Sequence, residues 1–193
     1  MRIIGGKAAG LLLKVPPGYD VRPTPDLVRQ AIFNSLGPRV AGARVLDLFS
    51  GSGAIGLECL SRGAALVLSV EKSNRHAVMI RENLASTGLP PDNYQLRIQD
   101  VFSAIGQLAE NGERFELIMA DPPFGEKNIG RRSNSLSQQL LDDERLPNLL
   151  ATDGLFVLGH TKRDTLTLPN SWNEVKGMKH GDSMMRFLRR SGW

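Results

Sequence analysis

The chain has 193 residues, 41% hydrophobic and 23% charged, with 24 Lys and Arg against 20 Asp and Glu. A globular chain of this length buries roughly 70% of its extended surface, so pervasive disorder is excluded and a single domain over 1–193 is expected. The only cysteine, Cys59, excludes an internal disulfide, and no stretch approaches the ~18 consecutive apolar residues of a membrane span, so a cytoplasmic protein without export signal is expected.

The net charge of +4 is unevenly spread. Residues 1–46 carry seven basic and two acidic side chains, residues 47–130 seven and eleven, and residues 131–193 ten and seven. Basic ends around an acidic middle suit a polyanion held beside a chemically distinct site, although an ordinary solvated surface can show the same asymmetry.

In chain order, residues 1–24 read as an accessory β-ribbon: RII, a GGKAAG turn and LLLKV, closed by Pro16-Pro17-Gly18. Thr24 is placed as an N-cap and Pro25 as the first residue of a helix over 25–36, where Val28, Ile32, Phe33 and Leu36 share helical spacing. From Ala43 onward, strands over 44–49, 65–71, 94–99, 115–121 and 155–160 alternate with helices over 54–62, 73–87, 101–111 and 136–150. Strands this apolar, separated by helices, predict a mostly parallel sheet covered on both faces. WNEVKGMKH and MMRFLRR have no helix-length segment between them and predict a C-terminal antiparallel hairpin. The segment 125–135, rich in Gly, Ser, Asn and Arg, is the expected mobile loop.

Ligands of open α/β sheets bind beyond the carboxyl ends of the strands, so chemistry is sought at the strand exits. The first exit runs from Asp47 through Phe49 to Gly51-Ser52-Gly53-Ala54-Ile55-Gly56. It satisfies G-x-G-x-x-G, which makes a nicotinamide or flavin site one reading. Asp47 in the preceding strand would oppose a pyrophosphate and suit an ammonium group, which favours S-adenosylmethionine, a cationic ligand without phosphate. The second exit ends in Glu71, about 20 residues beyond the glycine turn and suited to ribose hydroxyls. At the third, Asp100 can accept the amine of adenine while Val101 covers the ring, or can simply cap the following helix.

The fourth exit, Asp121-Pro122-Pro123-Phe124, is the most specific feature. Two prolines remove amide donors and fix φ, leaving carbonyl oxygens, one carboxylate and an aromatic ring. Such a turn can receive an exocyclic amine on a flat base, the carboxylate and the Pro122 carbonyl accepting its hydrogens while Phe124 stacks on the ring. Its alternative reading is a turn-shaping loop. Acceptors so placed direct the nitrogen lone pair toward an incoming methyl group and stabilise the charge that develops, the role expected of Asp121.

DPPF resembles the (D/N/S)-P-P-(Y/F/W) motif of class I methyltransferases acting on exocyclic amino groups of nucleic-acid bases. RIIGGKAAG, RPTPD, the helix leading to FNSL, VLDLFSGSGAIGLECLSRGA, VEK and ADPPF together resemble the RsmD family, over about residues 2–160. These are S-adenosylmethionine-dependent 16S ribosomal RNA guanine-N2 methyltransferases. The resemblance implies a Rossmann-like class I fold with a seven-stranded, mostly parallel sheet, a C-terminal antiparallel hairpin and a short N-terminal β-ribbon. It implies Asp47, Phe49, Gly51, Gly53, Glu71, Lys72, Asp100, Val101 and Asp121 as cofactor-binding residues, and Asp121, Pro122, Pro123 and Phe124 as the catalytic turn. RNA contacts are expected from Arg2, Lys7, Lys14, Arg22 and Thr24, and from Arg131 and Arg132 after the turn. The implied partner is 16S ribosomal RNA in a 30S subunit or assembly intermediate, bound by a monomer that needs no metal.

Two departures from the family pattern stand out. Ala9 precedes Gly10 where an arginine is usual, and the strand after the catalytic turn ends Val157-Leu158-Gly159-His160 where Val-Glu is common, so no acidic role is carried over there. Rival readings are a DNA or RNA adenine-N6 amino-methyltransferase and a non-catalytic RNA-binding ribosome assembly factor. The chain leaves little room for the separate target-recognition domain of the first, and the complete first and fourth exits argue against the second.

Overall fold

In the computed structural model, which describes residues 1–16, 25–123 and 132–192, the apolar runs form strands and the stretches between them helices. The chain makes two compact units, Met1–Ala104 and Ile105–Trp193.

The first unit opens with a ribbon joined by the antiparallel bridge Arg2↔Leu12 and by Ile3 N–H donating to Leu11 O at 3.0 Å. It is docked by helix side chains. The buried Glu58 carboxylate accepts Ile4 N–H at 2.7 Å, Gly5 N–H at 2.9 Å and Arg62 Nε at 2.7 Å. The buried Asn83 accepts Lys14 N–H at 2.8 Å and donates to Lys14 O at 3.0 Å and Ser52 O at 2.9 Å. The ribbon is thus stitched to the glycine loop through one amide side chain.

Helix α1 (Asp26–Leu36) turns Val28, Ile32, Phe33 and Leu36 inward, as their spacing predicts. Pro25 is its N-cap at ψ 148° rather than its first helical residue, because an extended ψ cannot begin a helix. Strands β1 (Arg44–Leu48), β2 (Leu66–Glu71) and β3 (Tyr94–Ile98) run parallel in the order β3-β2-β1. Helices α2 (Ala54–Ser61) and α3 (Asn74–Thr87) connect them. Ser73 caps α3 by accepting His76 N–H at 3.3 Å, and Gly88 ends it in the left-handed conformation.

Helix α4 (Val101–Glu110) leads into the second unit. There β4 (Phe115–Ala120) pairs parallel with β5 (Leu150–Thr161), which pairs antiparallel with β7 (Ser183–Arg190), and β7 with β6 (Trp172–His180). The seven strands are therefore mostly parallel, with the expected C-terminal hairpin. Trp172 packs its ring 5.2 Å from Phe156 and donates its indole N–H to Leu141 O at 3.1 Å.

The helix expected over 136–150 is corrected. Only Leu136–Asp142 (α5) is α-helical, followed by a 3-10 turn over Leu146–Leu149 and the start of β5 at Leu150. Pro147 sits in the first turn of that 3-10 segment, where its missing N–H costs nothing but where an α-helix already under way could not continue. β5 accordingly begins five residues earlier than expected, and its register against β4 shifts between Phe115 and Leu117. Four residues, 151–154, stand there against the single residue 116, with Asp153 among them at φ 61°.

Candidate active site

β1 delivers Asp47 opposite Ser69 of β2, and this register puts a hydroxyl beside the carboxylate. Ser69 Oγ lies 3.3 Å from Asp47 Oδ2 and 2.7 Å from Tyr94 Oη, while Gly56 N–H donates to Asp47 Oδ2 at 3.2 Å. Asp47 is 1% exposed. Burial pushes its carboxyl up to about 7, opposed by Ser50, Ser69 and Gly56 and assisted by the Glu71 charge. A carboxyl held near neutrality in this way is ionised by an arriving cation and repels an arriving phosphate.

Beyond β1 the chain folds back on itself in left-handed conformations at Phe49 (φ 59°), Gly51 (φ 57°) and Gly53 (φ 78°). Glycine takes this region freely, but a phenylalanine there is strained, a state found where a site holds the backbone in place. A Cβ on Gly53 would stand 3.2 Å from Ile80 and from Tyr94 Oη, and one on Gly56 would stand 2.9 Å from Ser69 Oγ and 3.0 Å from Asp47 Oδ2. Gly56 thus lets α2 approach β1 and β2 closely enough for its amide to reach Asp47.

Glu71 ends β2, where Oε2 accepts Gly51 N–H at 2.8 Å and Oε1 accepts Ser73 N–H at 2.8 Å. His76 Nδ1 is 3.6 Å from Oε1. The amides of the first and last glycines of G-x-G-x-x-G are therefore held by carboxylates, whereas a dinucleotide site needs such amides turned to a pyrophosphate. This arrangement disfavours NAD and FAD and suits a cation. Each Glu71 oxygen keeps a second lone pair for a ribose hydroxyl. Asp100 caps α4 through Oδ1, which accepts Phe102 N–H and Ser103 N–H at 3.0 Å each, with Oδ2 outside those bonds. Val101 is buried beside it, and Lys72 is exposed after Glu71.

In the second unit β4 ends at Ala120 and hands over to Asp121, which is half-buried, the buried Pro122 and the exposed Pro123. Asp121 lies over Gly159 of β5: a Cβ built on that glycine would overlap Asp121 Oδ1 and stand 3.1 Å from Cγ. The next residue, His160, is 3% exposed; its Nδ1 lies 2.9 Å from Thr161 O, and its Nε2 accepts Arg186 Nε at 3.1 Å. Burial, with the Arg186 charge, holds its pKa down. Both ring nitrogens are engaged, consistent with a packing role. Phe124, Arg22, Thr24 and Arg131 lie outside the described residues, as does most of the expected 125–135 loop.

The expected RNA-contacting cations differ in their surroundings. Arg2 Nε is 3.5 Å from Asp26, Lys14 Nζ is 3.0 Å from Glu82, and Arg132 donates to both oxygens of Asp142 at 2.9 Å. Lys7 is exposed at the tip of the ribbon. Among the described residues no group of His, Cys, Asp and Glu could hold a metal ion, and no helix is long and apolar enough to cross a membrane.

Ser69, Tyr94 and Gly159 were not singled out from the sequence. The signal for Ser69 was a lone hydroxyl in the buried run LVLSVE, and that for Gly159 a glycine inside the apolar run LFVLGH.

Against known proteins, the family model described as conserved hypothetical protein 95 matches residues 1–189. The Escherichia coli K12 protein named ribosomal RNA small subunit methyltransferase D is 32% identical over 191 residues, 98% of this chain and 90% of that one. A solved hypothetical protein of Thermus thermophilus superposes with a TM-score of 0.78 at 32% identity, covering 98% of this chain and 99% of that one. SMU.776, solved in complex with SAH, gives a TM-score of 0.65 at 18% identity over 84% of this chain and 48% of its own, which shows a shared fold alone.

Proposed function

Because the chain belongs to the family of conserved hypothetical protein 95, the RsmD family of the sequence resemblance, we propose that it methylates the exocyclic N2 of a guanine in 16S ribosomal RNA. The substrate in this reading is a small subunit or its assembly intermediate, and the enzyme acts as a cytoplasmic monomer using S-adenosylmethionine. Both compact units belong to one methyltransferase domain in this reading, supported by a family match that spans them. The observation that carries the cofactor assignment is the engagement of the Gly51 and Gly56 amides by Glu71 and Asp47.

Bound S-adenosylmethionine supplies an electrophilic methyl group on a sulfonium. Asp47 ionises against the ammonium end of that ligand, Glu71 accepts from the ribose, Asp100 accepts the adenine amine through Oδ2, and Val101 covers the ring. Asp121 and the Pro122 carbonyl accept the two N2 hydrogens of guanine, and Phe124 stacks on the base. The N2 lone pair is delocalised into the purine, so acceptors on its hydrogens free it for bonding and stabilise the positive charge that grows on nitrogen. Methyl transfer from the sulfonium would leave N2 with a surplus proton, which would pass to water. Lys7, Arg22 and the neighbouring cations hold phosphate, and the shape of the ribonucleoprotein selects the target.

The decisive experiment incubates the protein and methyl-labelled cofactor with small subunits lacking this mark and analyses the nucleosides. Label is expected in N2-methylguanosine. Label in N6-methyladenosine, or none despite measured cofactor binding, would overturn the proposal.

A further inference from the structure

We propose that Gly159 is a positioning residue for methyl transfer: its missing side chain is the space that holds the Asp121 carboxyl in its working orientation. The inference rests on the reading of Asp121 as acceptor of the target amine.

Three observations within the second unit converge on it. The parallel register of β4 and β5 runs through Met119↔Val157 and Ala120↔Leu158, so the next step along each strand sets Asp121 beside Gly159. The antiparallel register sets Met185 of β7 on its other side. A Cβ at 159 would overlap Asp121 Oδ1, stand 3.1 Å from Asp121 Cγ and 3.3 Å from Met185 Sδ.

The backbone at 159 does not itself call for glycine. Gly159 is not one of the residues with positive φ, so any residue could adopt its conformation, and only the empty volume distinguishes it. The strand cannot easily retreat from an added methyl. Ser137 Oγ, buried on α5, donates to Gly159 O at 3.1 Å, and β5 is hydrogen-bonded between β4 and β7. Met185 is 2% exposed and already in place on the far side. Asp121 is the half-buried member of the set, and its carboxyl can turn about χ1 and χ2 at less cost than the strands can part. A side chain at 159 therefore turns the carboxylate away while the sheet stays put.

A double-mutant cycle tests this. Displacing an acceptor by about 1 Å costs on the order of 10²-fold in rate, so Gly159→Ala is expected to lower kcat on small subunits by about 10- to 100-fold. KM for the subunit and affinity for S-adenosylhomocysteine should stay within about twofold, because in the proposed reaction Asp121 acts on the target amine while Asp47, Glu71 and Asp100 carry most of the cofactor's polar contacts. In an Asp121→Ala background, with no carboxyl left to displace, Gly159→Ala should change single-turnover transfer by less than about twofold. The melting temperatures give a second cycle independent of activity: the loss caused by Gly159→Ala should be recovered when Asp121 is also Ala. If Gly159→Ala proves too unstable for kinetics, this recovery decides alone.

Wild-type kcat in Gly159→Ala, or fully additive losses across the cycle while Asp121→Ala is impaired, would overturn the positioning role and leave the reading of Asp121 standing. Wild-type kcat in Asp121→Ala would overturn that reading and the positioning role with it.

Discussion

Two aspartates stand at strand exits, and the protein treats them in opposite ways. Asp47 is sealed in, 1% exposed, with Ser69 Oγ, Gly56 N–H and the Glu71 charge around it, and its carboxyl is pushed up to about 7. Asp121 is half-buried on a turn whose two prolines offer no N–H, and it is accommodated by the absence of a side chain at Gly159. The first carboxylate is organised by donors and, in the proposed reaction, meets a permanent cation. The second is shaped by the volume beside it and, in the proposed reaction, faces a neutral amine that becomes cationic only as the methyl arrives. Asp47 is set by donors and deep burial, whereas the orientation of Asp121 depends in part on the volume that Gly159 leaves beside it.

Asp121→Ala should be the sharpest probe of this contrast. Loss of one preorganised electrostatic group is expected to lower labelled transfer by about 10²- to 10³-fold. Affinity for S-adenosylhomocysteine, measured by calorimetry, should be nearly unchanged. Equal loss of both would erase the distinction between the two aspartates.

Asp47→Asn should do the reverse at first order, weakening cofactor binding by about tenfold or more through loss of a buried charge partner. It also carries a pH signature. The folded-state pKa of Asp47 is raised from 3.8 to about 7, so the folded protein prefers it protonated. Its contribution to stability is therefore full below the ordinary value and declines as pH rises toward 7. Asp47→Asn removes this decline, and its melting temperature relative to the parent should climb over that window in the absence of cofactor. Cofactor affinity of the parent should run the other way, strengthening by about tenfold from pH 6 to pH 8 because binding requires the ionised carboxylate. A flat pH profile in the parent would show that Asp47 does not meet the cation.

The smallest effects belong to the basic ribbon. Each cation that meets a phosphate contributes about one unit to the salt slope of RNA binding. Lys7→Gln should remove close to that amount, while Arg2→Gln and Lys14→Gln should remove less, since Asp26 and Glu82 already draw on their charges. Equal slopes for all three would mean that the carboxylate neighbours are displaced by RNA or that the ribbon lies off its path.

Much of the scaffold was legible because strand and helix periodicities are local. The unalternating runs RVLDL and LVLSVE are strands to within a residue of their expected limits, Ser73 caps the helix after LVLSVE, and Asp100 caps the helix after YQLRI. The stretch 136–150 failed for an equally local reason, since its apolar residues fit helical spacing while Pro147 and the early start of β5 divide it. Asp100 carries two readings, of which the cap is visible in Oδ1 and the adenine contact belongs to the proposed reaction.

By itself the sequence determined the order of strands and helices, the four acidic strand exits and the family resemblance, because each depends on residues near one another in the chain. Tertiary structure decided what those exits can do. Register across β1 and β2 brought Ser69 to Asp47, helix approach at Gly56 brought an amide, and register across β4, β5 and β7 set Asp121 and Met185 around the empty volume at Gly159. Burial and volume arise only when distant segments are packed together, and here they give Asp47 and Asp121 the different surroundings on which their proposed roles rest.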